Sequence, residues 1–187
     1  MTSARIISDL QTIVSRETDP LASLVISITT VHGGDAHNVI PEEVKLGGTI
    51  RTLTSAHMAE AQARVQEVAE RIAVANRCEA EVRYPGEDYP PTANDAECWR
   101  LAGDIWKDTF GGQTVHTSPP IMGGEDFAFF TEEVPGCFVG LGIRNPDQGC
   151  TYSVHHPKFK ADESVLPLGS AMHAAFAFRS LDELRAV

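Results

Sequence analysis

The 187 residues carry a formal charge of -11, and 42% of them are apolar. That is enough chain for one ordinary domain or two small ones with a buried core. An acidic balance without any basic cluster argues against nucleic acid and anionic membrane as partners, and no apolar run approaches the roughly 18 residues of a membrane span.

The first periodic stretch is Ile6, Ile7, Leu10, Ile13 and Val14. These positions share one helical face, with Thr2 or Ser3 as the cap and Asp19-Pro20 as the stop. Leu24 to Val31 is β-branched and of strand length. After a loop from His32 to Glu43, Val44 to Leu53 reads as a second strand. Val44, Leu46 and Ile50 lie on one of its faces, Lys45, Thr49 and Arg51 on the other. A helix capped by Ser55 follows, with Met58, Ala61, Val65, Val68 and Ile72 as its apolar stripe. Glu60 with Arg64, and Glu67 with Arg71, are favourable pairs on its surface. Cys78 to Tyr84 alternates as a third strand. The order α-β-β-α-β resembles a ferredoxin-like sandwich that lacks its first strand.

Tyr84 to Pro91 is punctuated like a linker. Asn94 with Glu97 then marks a helix start, and that helix runs through Trp106 to Gly111-Gly112. A short β segment is expected at Thr114-Val115, and a buried strand at Cys137 to Leu141. A closing helix is expected from about Leu166 to Leu184, with Leu168, Ala171, Met172, Ala175 and Phe176 facing a core. Phe127, Phe129 and Phe130 are also expected in a core. Two strands and two long helices are thin for an independent α/β domain, so this half reads as the end of a larger sheet.

Three places bear chemistry. Histidine is a good zinc ligand, but His155-His156 needs partners, since zinc takes three or four; on residue types alone a solvated pair before Pro157 is the simpler reading. Gly123-Gly124-Glu125-Asp126 is a glycine turn that lets a ligand approach backbone amides at a helix start, or it is a plain turn with acids on the helix dipole. Asn38 and Arg51 are good carboxylate donors near a long inter-strand loop, or a loop cap and a surface arginine. His37, His57, His116 and His173 read as structural or solvated. Cys78, Cys98, Cys137 and Cys150 are too irregularly spaced for a zinc ribbon and read as free, buried thiols. No nucleophile elbow or phosphate loop is present.

Together, Ile13–Leu21, Val31–Val44 with Gly48-Thr49-Ile50-Arg51, Met122–Phe127 and His155-His156-Pro157 resemble, in order, the aminoacylase-like zinc peptidases. That family includes hippurate hydrolases, N-acyl-amino-acid amidohydrolases and auxin-conjugate hydrolases. The resemblance implies an α/β enzyme with an inserted α+β lid. Residues 1–85 would be the dimerisation lid without its first strand, and 86–187 the C-terminal part of a mixed-sheet catalytic domain. It implies two divalent metal ions, zinc or manganese, an N-acyl amino acid substrate and a homodimer formed through the lid.

Position by position, His155 matches the last metal ligand, while His156 falls where the family varies. Asn38, Arg51, Gly123 and Gly124 match groups that hold the substrate, and Glu125 with Asp126 a motif that orders its loop. The family's other ligands and its general base precede the lid. No catalytic residue is therefore assigned here, and the chain is expected to be an inactive fragment. The rival reading is a non-catalytic dimerisation or interaction protein derived from the lid. No apolar signal core follows Met1 and no retention signal precedes Val187; the cytoplasm is favoured, with a leading segment expected to be missing.

Overall fold

A computed structural model describes residues 1–86, 89–111 and 116–185. They fall into two compact units: 1–93 with 120–129, and the described residues of 94–119 and 130–187.

The first unit opens with α1 (Thr2–Thr12), which runs into a π-helical turn (Ile13–Glu17). The Thr18 amide and hydroxyl both donate to the Ile13 carbonyl, at 3.0 and 2.8 Å, and end the helix just before Asp19-Pro20. Strands β1 (Leu24–His32) and β2 (Lys45–Thr52) form an antiparallel hairpin, and α2 (Ser55–Ala75) follows. Leu24 and Ile26 of β1 pack with Ile6, Leu10 and Ile13 of the first helix and with Ala61, Val65, Val68 and Ala69 of α2. Leu46 and Ile50 of β2 lie against the same core, as the alternation predicts, but Val44 precedes the strand and is exposed.

The pairing slips between Ile28 and Thr30, which face Gly48 and Gly47 respectively. Thr29 is thus the extra residue of a β-bulge, a device that bends a strand and sharpens its twist. Backbone crowds backbone there: a Cβ on Gly48 would collide with the Ser27 carbonyl oxygen.

The cap of α2 is Thr54 rather than Ser55. Thr54 is extended (φ -140, ψ 146), and its hydroxyl accepts from the His57 amide at 3.2 Å. A cap must lie outside the helix, and Ser55 is already inside it. Arg64 also departs from expectation. It turns from Glu60 to Glu17 (2.6 Å) and Glu67 (2.7 Å), tying the π-helical turn to α2, while Arg71 takes the other oxygen of Glu67 (2.8 Å).

Residues 78–84 do not form the expected third strand. Ala80 and Val82 still face the core, but a strand is defined by its ladder. Among the described residues the sheet contains β1 and β2 alone.

In the second unit α3 (Ala96–Phe110) and α5 (Leu166–Arg185) pack through Leu101, Ala102, Ile105 and Met172, with Trp106, Cys137 and Phe176 around them. Asp95 caps α3, accepting from the Glu97 and Cys98 amides at 3.0 and 2.9 Å. The expected cap, Asn94, instead grips Phe138: its Nδ2 donates to the Phe138 carbonyl (3.0 Å) and its Oδ1 accepts from the Phe138 amide (2.7 Å). Residues 137–141 form no strand. Thr114-Val115 lies outside the described residues. Of the stripe expected on α5 only Met172 is buried, and Phe178 and Leu184 are more than two-thirds exposed. Helix α4 (Phe127–Glu133) lies between α3 and α5 in the chain. Its Phe129 and Phe130 are exposed rather than in a core. The cysteines are free, but Cys78 is exposed and only Cys150 fully buried.

Candidate functional site

The first unit brings together two places that the sequence singled out. Because Ile50 faces the core, its neighbour Arg51 must project from the opposite face of β2. From there its Nη1 donates to the Met122 carbonyl at 2.7 Å. Met122 immediately precedes Gly123-Gly124, and both glycines are exposed. A guanidinium has five N–H donors. One is spent on Met122, so enough remain for a two-pronged grip on a carboxylate beside the glycine turn.

Asn38 takes no part in that contact. It is exposed on the β1–β2 connection, in a turn closed by the Val39 amide donating to the Ala36 carbonyl at 3.2 Å.

Gly123 has nothing within 4 Å of where a Cβ would stand, so its backbone is open to an approaching ligand. Gly124 lies on the Tyr89 ring, at 3.5 Å from a would-be Cβ. Tyr89 in turn tilts against Phe129, with ring centroids 5.8 Å apart. This aromatic wall escaped the sequence reading. Its one signal was an aromatic residue set in a Pro-rich run otherwise read as linker. At the following helix the Ala128 and Phe129 amides donate to the Glu125 and Asp126 carbonyls at 3.1 and 3.2 Å.

The two histidines of the second unit differ sharply. His156 stacks on Tyr152, with centroids 4.2 Å apart, and its Nδ1 accepts from the Lys158 amide at 3.0 Å. It is held by its own loop. His155 is exposed and sits at φ +66, a left-handed conformation that non-glycine residues seldom adopt. Backbone of this kind persists where the surroundings impose it, commonly at functional sites.

Seven positions further on, Asp162 is buried at 7% exposure. Its Oδ1 accepts from the Ser164 hydroxyl (2.7 Å) and amide (3.0 Å), and its Oδ2 from Asn145 Nδ2 (2.7 Å). The Ser164 hydroxyl, then Asn145, holds the carboxyl below the usual aspartate range. Burial acts the other way and loses to this set of donors.

Among the described residues no three His, Cys, Asp or Glu side chains converge as a metal requires. The residues present therefore do not fit a metal by themselves. A cleft of about 580 Å³ between residues 17–24 and the start of α2 is lined by Glu17, His57, Glu60 and Arg64. It includes none of Asn38, Arg51, Gly123 and Gly124. Its arginine is already held by Glu17 and Glu67. No helix among the described residues is long and apolar enough to cross a membrane.

The family model for peptidase family M20/M25/M40 matches residues 7–179, nearly the whole chain and all of these motifs. The chain belongs to this family. It is similar to the IAA-amino acid hydrolase ILR1-like 2 of Arabidopsis thaliana, 39% identical over 184 residues that make up 97% of this chain and 41% of that protein. It also resembles an N-acetyldiaminopimelate deacetylase of Enterococcus faecalis, 36% identical over 97% of this chain and 46% of that one. Among solved structures, the YXEP protein of Bacillus subtilis, described as a dinuclear metal binding peptidase of family M20, superimposes with a TM-score of 0.78 at 33% identity. That match covers 97% of this chain and 45% of the other. The M20 chain described here thus spans under half the length of these relatives.

A carboxyl lowered in the folded state lends stability above its unfolded pKa of about 3.9, and that stability is lost as pH falls through the folded value. Asp162→Asn is therefore expected to be less stable than wild type at pH 7. The gap should close as pH falls below about 4, read from urea midpoints across pH. An equal gap at pH 7 and at pH 2.5 would contradict this.

Proposed function

We propose that this M20 chain is the substrate-holding part of a metal-dependent amidohydrolase that cleaves the amide bond of N-acyl amino acids or similar conjugates. Residues 1–85 would be the lid and 86–187 the closing part of the catalytic domain. What carries the reading is the bond from Arg51 to the carbonyl before Gly123-Gly124. It sets a cation with free donors beside an open, amide-presenting turn, which suits the carboxylate of an amino-acid product or substrate. Asn38 would join from the hairpin loop as a second donor. Tyr89 and Phe129 offer an apolar surface next to Gly124 for the non-polar part of the substrate.

His155 would supply one ligand to a pair of divalent ions whose other ligands lie elsewhere in the complete enzyme. When bound, such ions activate water and polarise the amide carbonyl. The chain's own residues hold and orient the substrate; none is assigned a proton-transfer role. The 187-residue chain supplied with zinc or manganese is accordingly expected to show no turnover of N-benzoylglycine above buffer. Sustained hydrolysis by this chain would refute the division of labour.

The clamp itself is open to test without catalysis. In an NMR titration of the chain with N-benzoylglycine, the Arg51 side-chain signal and the Gly123 and Gly124 amides should shift with a Kd near the millimolar range, a binding free energy of about -4 kcal/mol. Arg51→Ala should abolish the shifts and Arg51→Lys weaken them, because a lysine lacks the planar fork. Unaltered shifts in Arg51→Ala would remove Arg51 from the site.

The lid would also make a homodimer. A two-stranded sheet leaves an unpaired edge on each side, and such edges are templates for pairing. Light scattering is expected to return twice the 20.3 kDa chain mass. A monomer at high micromolar concentration would count against it.

A further inference from the structure

The segment from Cys150 to Asp162 carries both His155 and His156, and every residue from Thr151 to Lys160 is exposed. Such a segment has no core of its own to fix it. It is tied at both ends instead. At the first end, Asn145 and Cys150 exchange backbone hydrogen bonds of 3.0 and 2.8 Å as an isolated bridge, and Cys150 is buried at 3% exposure. The turn within this bridge is held by the Asn145 side chain, whose Oδ1 accepts from the Asp147 and Gln148 amides at 3.1 and 3.3 Å. At the other end the Asp162 amide donates to the Ile143 carbonyl at 3.1 Å, and its carboxylate organises Ser164 at the entry to α5. One bond joins the two anchors, from Asn145 Nδ2 to Asp162 Oδ2 at 2.7 Å across 17 positions of sequence.

We propose that the Asn145–Asp162 pair is a positioning clasp that closes the histidine loop and holds His155 in its left-handed conformation. Neither residue touches substrate in this role; both act through the loop. Three features point to it. Both partners are multiply bonded, with Asn145 using both ends of its amide and Asp162 both of its oxygens. Between the anchors the loop has only short-range bonds among the described residues: His156 amide to Ser153 carbonyl (3.2 Å), Phe159 amide to His156 carbonyl (2.9 Å) and Lys158 amide to His156 Nδ1. Finally, a strained φ at an exposed residue needs an outside constraint, and among the described residues the clasp is the long-range side-chain bond that the loop's anchors make. The inference deepens the reading of His155 as a functional group and rests on it for its purpose, not for its geometry.

Amide hydrogen exchange on the full chain tests it. In Asn145→Asp two carboxylates face each other, and the His156, Lys158 and Phe159 amides are expected to exchange about tenfold faster. Asp162→Asn places two amides there and should loosen the same amides. The exchanged pair, Asn145→Asp with Asp162→Asn, restores one donor facing one acceptor. The amide introduced at position 162 can donate to the carboxylate introduced at position 145, while its oxygen still accepts from Ser164. Rescue to within about twofold of wild type is expected, as a coupled pair requires. The interior amides of α3 should stay unchanged throughout. Loop amides indifferent to the single changes, or no rescue by the exchange, would overturn the clasp. So would α3 amides accelerating as much as the loop, which marks a general loss of stability. No metal or turnover enters these measurements, so failure of the clasp and failure of the His155 assignment are told apart.

Discussion

The burial of one face of the β1–β2 hairpin is the constraint from which the rest of the first unit follows. Side chains alternate along a strand, so placing Ile50 against α1 and α2 obliges Arg51 to face the other way. A slip of one residue would bury a guanidinium without a carboxylate partner, which costs far more than the hairpin gains. The bulge at Thr29 absorbs the mismatch between the two halves of the hairpin, and Gly48 is the residue that lets the backbones approach there. The face from which Arg51 reaches the Met122 carbonyl is thus a by-product of core packing.

Local signals in the sequence carried through to the structure. The stripes of α1 and α2 and the inward set Leu24, Ile26, Leu46 and Ile50 need only the chain's own periodicity. Caps fall one residue from where residue type puts them, Thr54 for Ser55 and Asp95 for Asn94, because several neighbouring side chains have the same chemistry and only the backbone dihedrals choose between them. The segments 78–84 and 137–141 mark a different limit. The alternation of 78–84 and the apolar run of 137–141 are real, and Ala80 and Val82 do face a core. Ladder formation, however, depends on a second strand, and propensity says nothing of whether one is present.

The candidate site divides along the same line. Arg51 was legible because alternation fixed its face, and Gly123-Gly124 because glycine pairs mark backbone that must stay open. Their meeting was not legible, since it joins positions 71 apart in sequence. Tyr89 was hidden for another reason: in a run of prolines an aromatic side chain has no periodic context to reveal its face. Family membership supplied the ordered motifs but not this geometry. The M20 relatives are more than twice as long as the matched region. Within the described residues Arg51 bonds to the carbonyl before Gly123-Gly124, while no three candidate metal ligands converge. On the proposed reading, these two tasks are carried by different stretches of the polypeptide.

Adjacent histidines show how little residue type decides. His155 and His156 are equivalent in a sequence and opposite in the structure. The ring of His156 is stacked, and its Nδ1 is already committed to the Lys158 amide. Such a ring can offer only Nε2, and only by keeping its stack. His155 stands exposed beside it, at a left-handed turn of the chain. The cost of that turn, of order 1–3 kcal/mol for a residue in a sparsely populated region, has to be met by interactions that would be lost if the loop relaxed. On the proposed clasp the buried bonds around Asp162 are of that kind, because an opened loop would leave a desolvated carboxylate short of donors. On the proposed clasp, strain at His155 and the bonds gathered at Asp162 are two sides of one arrangement.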